Sequence, residues 1–299
     1  MENKINPEPD FIGIGAAKTG TTWIYEYLKE HKNICLSSKK ETHFFDILGN
    51  YKKGLRYYYK FFSHCSKNKI KGEITPSYIY SYYTPFLIKK NFPNVKILVC
   101  LRDPIERAYS HYKYNIEMKG KFSIYKNLKE TIKYDKEIID RGLYYQQLKN
   151  YYNLFPKEQI LVMFYKDLKK NPKEFIKKIY KFLEVDDPNY IPRIINKRIR
   201  KTGNKVVRLK VPFLSLIINK SYSVLNKITL LKTFIENSRI MSYLLEISDL
   251  NREITFTKNL KDPFLFPLNN EIRKHLNQFY EDDIQKLEKL LDKDLSFWK

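Results

Sequence analysis

Cysteine is scarce in this sequence, and its spacing does not favour cross-links. Cys35, Cys65 and Cys100 are an odd number in a chain of 299 residues, and no CxxC pair occurs. This usage predicts neither a disulfide framework nor a zinc ribbon, and it is typical of a reducing compartment. We therefore expect a cytoplasmic protein without structural disulfides.

Long apolar runs are also missing. The amino terminus, MENKINPEPD, lacks the apolar stretch that a signal peptide needs. The longest apolar runs, such as VPFLSLII at 211–218, are far too short to cross a bilayer. The sequence thus predicts a soluble chain with neither a signal peptide nor a transmembrane segment.

Histidine offers little that could hold a metal. The chain has no H-x-x-x-H pair and no histidine grouped with thiolates at ligand spacing. We expect no metal site. The histidines are His31, His43, His64, His111 and His275.

Acidic residues are the scarcer charge. The chain has 33 Asp and Glu against 56 Lys and Arg, a formal net charge of +23. Such a surface favours anionic partners, whether nucleotides, nucleic acid, sulfated or carboxylated glycans or acidic lipid. A composition that is 43% hydrophobic and 15% aromatic is ample for a core and excludes a disordered or coiled-coil chain.

Strand and helix patterns alternate along the first 185 residues. Apolar strands that alternate with helices predict an α/β protein, a three-layer fold with a central parallel sheet flanked by helices. A single domain over 1–299 is expected, with a disordered tail at 1–10, a variable acceptor-side region at 186–266 and a less regular, helical C-terminal part. The predicted strands are 11–16, 34–37, 69–75, 95–102 and 159–165; the predicted helices include 82–90, one after Asp103, 124–135, 143–154, 172–183 and a terminal one. For the helix after Asp103, the sequence predicts Asp103 as N-cap, Pro104 as the first helical residue and Glu106 as the partner in a capping box. The stretch that follows 196–205, to about Lys258, has mixed helical periodicity.

The first strand runs into a glycine-rich turn, GIGAAKTGTT, from Gly13 to Thr22. A strand, a turn of this kind and a helix start gather backbone amides around a phosphate. The dinucleotide fingerprint fails because Lys18 stands at its third glycine, and the ATPase pattern fails because Lys18 precedes Gly20. What remains, a lysine inside the turn followed by Thr19, Gly20, Thr21 and Thr22, resembles the 5′-phosphosulfate loop of sulfotransferases, which use 3′-phosphoadenosine 5′-phosphosulfate (PAPS). Taken alone, a strand-to-helix turn with an incidental lysine remains an alternative.

A second segment, ILVCLRDPIERAYSHY, carries the same resemblance. It puts Arg102 at the end of a buried strand and Ser110 two turns into the next helix. In the sulfotransferase family an Arg and a Ser at this spacing hold the 3′-phosphate of the nucleotide, which suits a forked guanidinium donor and a hydroxyl. Arg107 lies three residues from Ser110 on the same helix face and is expected to help.

Other segments are similar to the heparan-sulfate-type and bacterial members of this family. KKETHFFD at 39–46 resembles the loop that carries their catalytic carboxylate, and GEITPSY at 72–78 matches a further segment. The segment from Gly142 to Leu168 and the terminal DLSFW are also similar, whereas 190–260 matches nothing. Departures are Ile74 where the heparan-sulfate enzymes have a lysine, Lys166 where a Glu is usual, and the lack of a C-terminal cysteine pair. They put heparan sulfate as the acceptor in doubt, but not the nucleotide site.

The resemblance implies a role for each of these residues. Lys18 neutralises the charge that develops on the leaving oxygen, and the four residues after it hold the 5′-phosphate. Glu41 is the general base, with His43 as the alternative. In an extended loop Glu41 and His43 would share a face, so that one could orient the other. A solvated charged turn is the alternative reading of this loop. Asp46 is expected to support the loop. Arg198, Arg200, Lys201 and Gly203 resemble a basic loop over the 3′-phosphate, with an exposed charge run equally open.

These observations predict a PAPS-dependent sulfotransferase that releases 3′,5′-bisphosphoadenosine (PAP) and uses no metal. The acceptor is expected to be a hydroxyl or amine, most readily on a glycan, with no specific nucleic acid as partner. Two other classes stay open: a P-loop small-molecule kinase and a basic nucleic-acid-binding protein. The missing magnesium-binding acid argues against the first, and the lack of any RNA-recognition, helix-turn-helix or zinc-finger pattern argues against the second.

Overall fold

Five short strands form a parallel sheet in the larger of two units. The computed structural model of the chain describes residues 7–119, 128–195, 205–209, 252–256 and 268–298. Neighbouring strands of the sheet run parallel in the order β2-β3-β1-β4-β5. The strands are β1 (Phe11–Gly15), β2 (Ile34–Leu36), β3 (Ile70–Ile74), β4 (Lys96–Leu101) and β5 (Ile160–Phe164). The α/β fold expected from the strand–helix alternation is confirmed.

Helices follow most of the strands, as the periodicity predicts. Within the described ranges, no helix combines the length and the apolar character needed to span a bilayer. The helices are α1 (Thr21–Lys29), α2 (Leu48–Tyr51), α3 (Leu55–Tyr59), α4 (Thr84–Asn91), α5 (Pro104–Lys119), α6 (Leu128–Tyr134), α7 (Glu137–Asp140), α8 (Tyr144–Tyr152), α9 (Tyr165–Lys170), α10 (Pro172–Leu183) and α11 (Asn270–Leu291). Short 3-10 turns lie at Lys60–Phe62, Lys157–Gln159 and Ser296–Trp298.

The centre of the sheet is buried because β1 and β4 are apolar on both sides. Every residue of β1 is buried, and so is all of β4 except its first residue. α10 adds one apolar face, in which Phe175, Ile176, Ile179 and Leu183 are buried. Each such side chain contributes roughly 1.5–3 kcal/mol when it leaves water.

The start of α5 illustrates how the sequence positions a site residue. Asp103 Oδ1 accepts hydrogen bonds from the amides of Ile105 and Glu106, at 2.8 and 3.2 Å, and Pro104 is the first helical residue. The predicted N-cap is confirmed. The predicted capping box is wrong, because the Glu106 carboxylate binds two arginines, Arg102 and Arg273, instead of turning back to the cap.

The second unit is described only in part. By the contacts between its residues, the chain divides into two compact units. The first consists of Met1–His111, Ile132–Arg200 and Leu268–Lys299. The second consists of Tyr112–Thr131 and Lys201–Pro267. In the second unit β6 (Lys205–Leu209) pairs antiparallel with β7 (Arg252–Phe256). The helical periodicity that the sequence analysis assigns near 252–256 is wrong, because alternating β-branched residues favour strands. The single domain stays a prediction, and most of the 186–266 region lies outside the described residues.

The chain joins the sheet before the first strand begins. The Asp10 amide donates to the Lys71 carbonyl at 2.8 Å, and the Lys96 amide donates to the Asp10 carbonyl at 2.9 Å. The expected tail therefore ends before Asp10; residues 1–6 lie outside the described part.

A disulfide joins Cys35 to Cys65, which corrects the expectation drawn from cysteine number. Cys35 lies on β2 and Cys65 in the turn before β3, and these neighbouring strands bring the two Cα atoms to 5.7 Å. Cys100 remains a free, buried thiol on β4. Three cysteines allow three different pairings, and only the strand order shows which two can meet.

Candidate active site

The loop after β1 has a left-handed backbone at its lysine. Lys18 has φ 72°, and Gly15 and Gly20 have φ 141° and 93°. A Cβ on Gly15 would lie 2.5 Å from the Pro76 carbonyl oxygen, so only glycine fits there. The glycines thus let the chain turn closely around the position of Lys18.

The helix α1 begins where this loop ends. Gly20 caps the helix without a side-chain hydrogen bond, and the helix begins at Thr21. Helix N-termini of this kind present amides and a positive dipole end to an anion. The Thr19 hydroxyl is buried and donates to the Ala16 carbonyl at 2.7 Å, so it braces the loop. Thr21 and Thr22 lie at the helix start, where the sequence analysis places phosphate donors.

Arg102 lies against the lysine loop. Its Nη1 donates to the Lys18 carbonyl at 3.4 Å and its Nη2 to Glu106 Oε2 at 3.2 Å. Its guanidinium carbon lies 4.8 Å from the centre of the Tyr165 ring, which the sequence analysis did not single out. The signal for Tyr165 was its place directly after β5, since residues after parallel strands meet at one edge of a sheet. Two of the predicted nucleotide-binding residues are therefore together.

The two other predicted residues of α5 differ in their surroundings. Ser110 is 8% exposed, whereas Arg107 is fully buried. Arg107 donates to the Ile138 carbonyl, and its Nη1 lies 3.4 Å from His111 Nδ1. The expectation that Arg107 helps to bind a phosphate is wrong, because its guanidinium serves the packing of α5 against α7. The basic residues predicted over the 3′-phosphate lie outside the described residues: Arg198, Arg200, Lys201 and Gly203.

The 39–46 loop brings Glu41 and His43 together. His43 Nε2 lies 3.8 Å from Glu41 Oε2, and Lys40 Nζ lies 2.6 Å from Glu41 Oε1. The backbone is not extended: Glu41 and His43 have φ 64° and 51°, in the left-handed region. The expected shared face is thus reached by two left-handed turns and not by strand periodicity.

Asp46 and Ser77 complete this cluster. His43 Nδ1 lies 3.0 Å from Asp46 Oδ2, and the Ser77 hydroxyl donates to the same carboxylate. The bond to Asp46 raises the pKa of His43 above its ordinary value, although burial works against it. Burial works to raise the pKa of Asp46, but the bonds from His43 and Ser77 outweigh it and lower that pKa. The pair therefore favours an imidazolium next to a carboxylate.

Backbone hydrogen bonds hold the segment after β3 beside the lysine loop. The amides of Thr75 and Ile79 donate to the carbonyls of Gly13 and Ile14, each at 2.9 Å. Ser77 lies between these two anchors. The carboxyl ends of β1, β2, β3 and β4 thus carry Lys18, the 39–46 loop, Ser77 and Arg102, the edge at which open α/β sheets bind ligands.

A further group of ligand-type side chains lies away from this edge. The ligand atoms of Cys35, His64 and Cys65 lie within 4.8 Å of one another. The two sulfur atoms are bonded to each other, so neither is a thiolate that could coordinate a metal.

Comparison with known proteins gives a consistent result. A family model described as "Sulfotransferase domain" matches residues 8–205. "Membrane-associated sulfotransferase kil1" of Dictyostelium discoideum is 37% identical over 120 residues, 39% of this chain and 25% of that protein. Human "Heparan sulfate glucosamine 3-O-sulfotransferase 5" is 31% identical over 208 residues, 65% of this chain and 57% of that protein. The chain thus spans between a quarter and somewhat over half of these relatives' length.

A solved structure shares the fold over almost the whole chain. The crystal structure of a sulfotransferase from Alicyclobacillus acidocaldarius has a TM-score of 0.67 and covers 97% of this chain and 98% of its own. The two sequences are 21% identical, so this likeness concerns the fold alone. The arrangement of strands and helices in this chain is therefore one already seen in a solved structure.

Proposed function

The chain belongs to the sulfotransferase family, whose model matches residues 8–205, and on that premise we propose that it transfers the sulfuryl group of PAPS to a hydroxyl or amine of a glycan. One observation carries the proposal: a left-handed lysine loop, with Arg102 against its carbonyl, shares a sheet edge with the Glu41–His43–Asp46 cluster. A phosphate cradle and an acid–base cluster are the two parts that group transfer needs.

The residues present fit the proposed donor. The loop has no space for a Cβ at Gly15 or Gly20, where one would lie 2.5 Å from the Pro76 carbonyl oxygen and 2.8 Å from Leu168 Cδ2. Glycine at both positions therefore lets the loop pack in this shape and lead into the start of α1, where helix amides can receive a phosphate. In this proposal the amides at the start of α1 hold the 5′-phosphate, and Arg102 with Ser110 holds the 3′-phosphate.

The donor supplies an already activated sulfuryl group, so what is required of the chain is placement and charge. Lys18 offsets the negative charge that builds up on the leaving oxygen. Glu41 takes the proton of the acceptor, held between Lys40 and His43. His43 is the weaker candidate for the base, because its bond to Asp46 raises its pKa and so favours the protonated ring, which cannot accept a proton. His43 then orients Glu41.

A glycan acceptor rests on two lines of support. The 39–46 segment resembles the corresponding loop of carbohydrate-directed members, and one of the two named relatives is a heparan sulfate glucosamine 3-O-sulfotransferase. The net charge of +23 favours an anionic glycan over a neutral one. The family match also displaces the kinase and nucleic-acid alternatives that the sequence left open.

Ligand binding tests the donor site directly. Titration calorimetry should show saturable binding of PAP, with ATP and a short oligonucleotide binding much more weakly. Preference for ATP would return the kinase hypothesis, and preference for the oligonucleotide would return the nucleic-acid hypothesis. Either preference contradicts the proposal.

A further inference from the structure

A fully buried carboxylate lies next to the proposed active site without taking part in it. Glu73, on β3, has no exposed surface, and each of its oxygens accepts two hydroxyl hydrogen bonds. Oε2 accepts from Thr42 at 2.6 Å and Thr75 at 2.8 Å, and Oε1 accepts from Tyr58 at 2.8 Å and Tyr78 at 3.0 Å. These four partners are all neutral donors, an unusual environment for a buried acid.

Two of these hydroxyls also hold the 39–46 loop. Tyr78 accepts the amides of Phe44 at 3.1 Å and Phe45 at 3.3 Å, and Thr42 accepts the Phe44 amide at 3.4 Å. A hydroxyl has one proton, so one that donates to Glu73 must present its lone pairs to the loop amides. The carboxylate therefore decides which way these hydroxyls point.

The loop needs such a constraint. Glu41 and His43 both have left-handed backbones, which are unfavourable for residues with a Cβ and persist only where the surroundings impose them. The amides that Thr42 and Tyr78 accept belong to the two residues directly after His43. Their bonds fix the point from which the left-handed turns run back to Glu41.

We propose that Glu73 is a positioning residue of the transfer reaction: through the hydroxyls of Thr42 and Tyr78 it holds the 39–46 loop in the shape that directs Glu41 and His43 at the acceptor. The inference rests on the proposed function only in that Glu41 and His43 act in the transfer. Glu73 itself touches neither substrate.

The network contains a matched pair of variants. Tyr58→Phe and Tyr78→Phe each remove one hydroxyl donor from Glu73 Oε1 and keep the ring. Tyr58 packs its ring 4.7 Å from Phe44, but its hydroxyl bonds Glu73, whereas the Tyr78 hydroxyl bonds both Glu73 and the loop amides. A purely structural network predicts similar effects of the two changes. A positioning network predicts that only Tyr78→Phe affects the reaction.

Steady-state kinetics separate these cases. For Tyr78→Phe we expect kcat to fall by about 100-fold, the scale of a small misplacement of a reacting group, while KM for PAPS stays within about threefold. Glu73→Gln should act in the same direction, because its amide nitrogen turns a hydroxyl proton toward the loop amides. Tyr58→Phe should keep kcat within about threefold of wild type even where its Tm falls as far as that of Tyr78→Phe.

A second measurement does not depend on activity. The titration of His43, followed by NMR of its ring, reports the loop position, because Asp46 and Glu41 raise its pKa and Lys39 lowers it. In Tyr78→Phe the pKa of His43 should move toward its ordinary value, and in Tyr58→Phe it should stay at that of wild type. Equal kcat and equal titration in the two variants would overturn the inference. A wild-type protein that transfers no sulfuryl group would contradict the proposed function alone, and the titration would still decide the role of Glu73.

Discussion

At the scale of single residues, Lys18 has the most specific proposed role, since its place inside the turn distinguishes this loop from other glycine-rich loops. Lys18→Ala should lower kcat by about 100-fold to 1,000-fold, the usual effect of losing one donor to a developing charge, and leave Tm unchanged. Lys173→Ala, at an exposed position of α10, is the control and should keep full activity. Retention of more than about a tenth of wild-type kcat by Lys18→Ala would remove the residue from this role, because tenfold is only about 1.4 kcal/mol.

Arg102 should recognise the 3′-phosphate. Arg102→Ala should weaken PAP strongly in titration calorimetry and hardly change adenosine 5′-phosphosulfate, which lacks that phosphate. Arg273→Ala is the matched control, because Arg273 donates to one oxygen of the Glu106 carboxylate while Arg102 donates to the other. Equal losses for both nucleotides would mean that Arg102 only braces the loop.

The His43–Asp46 pair should make stability depend on pH. The pKa of His43 is raised from 6.5, so its contribution is present below that pH and is lost as the pH rises through the raised value. The pKa of Asp46 is lowered from 3.8, so its contribution is present above that pH and is lost as the pH falls through the lowered value. Asp46→Asn should thus lower the free energy of unfolding most between these limits.

Urea unfolding of wild type and Asp46→Asn between pH 4 and 9 measures this difference. We expect about 1 kcal/mol near pH 5, since His43 is one-third exposed and solvent screens the pair. The difference should shrink as the pH rises past the raised pKa of His43. A difference that is constant across this range would mean that the two groups do not pair.

At the scale of elements, the disulfide fixes β2 to the turn before β3 and thereby secures the strand from which the 39–46 loop leaves. It closes a segment with a sequence separation of 30, for which chain entropy predicts roughly 3–4 kcal/mol. The Cys35→Ser, Cys65→Ser double variant should be less stable than wild type by about that amount in urea unfolding. Wild type in a reductant should match the double variant. Indifference of wild type to reductant would show that the bond does not form.

The sequence predicted those elements whose signals are local. Apolar runs give the five strands, and Asp103 with Pro104 gives the start of α5, because strand burial and capping depend on neighbouring residues. Glu41 and His43 were expected to meet, but through an extended backbone and not through left-handed turns. Left-handed backbone at residues with a Cβ is imposed by tertiary hydrogen bonds, which a local pattern does not carry.

The tertiary contacts of the site could not be predicted from the sequence. Arg107 and Ser110 share a helix face, but only the packing shows that Arg107 is buried and bonded to the Ile138 carbonyl. The four hydroxyls around Glu73 come from three separated segments. Cys35 and Cys65 likewise meet only because β2 and β3 are neighbours. The cytoplasmic location stays a prediction, and its argument from cysteine usage is lost because structural disulfides are rare in that compartment.

At the scale of the whole molecule, the family and the site both support the proposed reaction. In the proposed reaction, the lysine loop and Arg102 bind the donor, while Glu41, His43 and Asp46 lie on the acceptor side. The excess of positive charge favours an acidic acceptor over a neutral one. The class of molecule that accepts the sulfuryl group can be measured without knowing the natural substrate.

The most direct test is transfer of labelled sulfate from PAPS to a panel of acceptors, with the products identified by mass spectrometry. The panel contains heparan-type and other acidic glycans, neutral glycans, phenols and lipid alcohols, each with wild type, Glu41→Gln and His43→Ala. We expect label in an acidic glycan with wild type, a loss of about 100-fold or more with Glu41→Gln, and a smaller loss with His43→Ala. Label confined to phenols or lipids would contradict the glycan acceptor, and an active Glu41→Gln beside an inactive His43→Ala would make His43 the base. No label in any acceptor would contradict the proposed reaction itself.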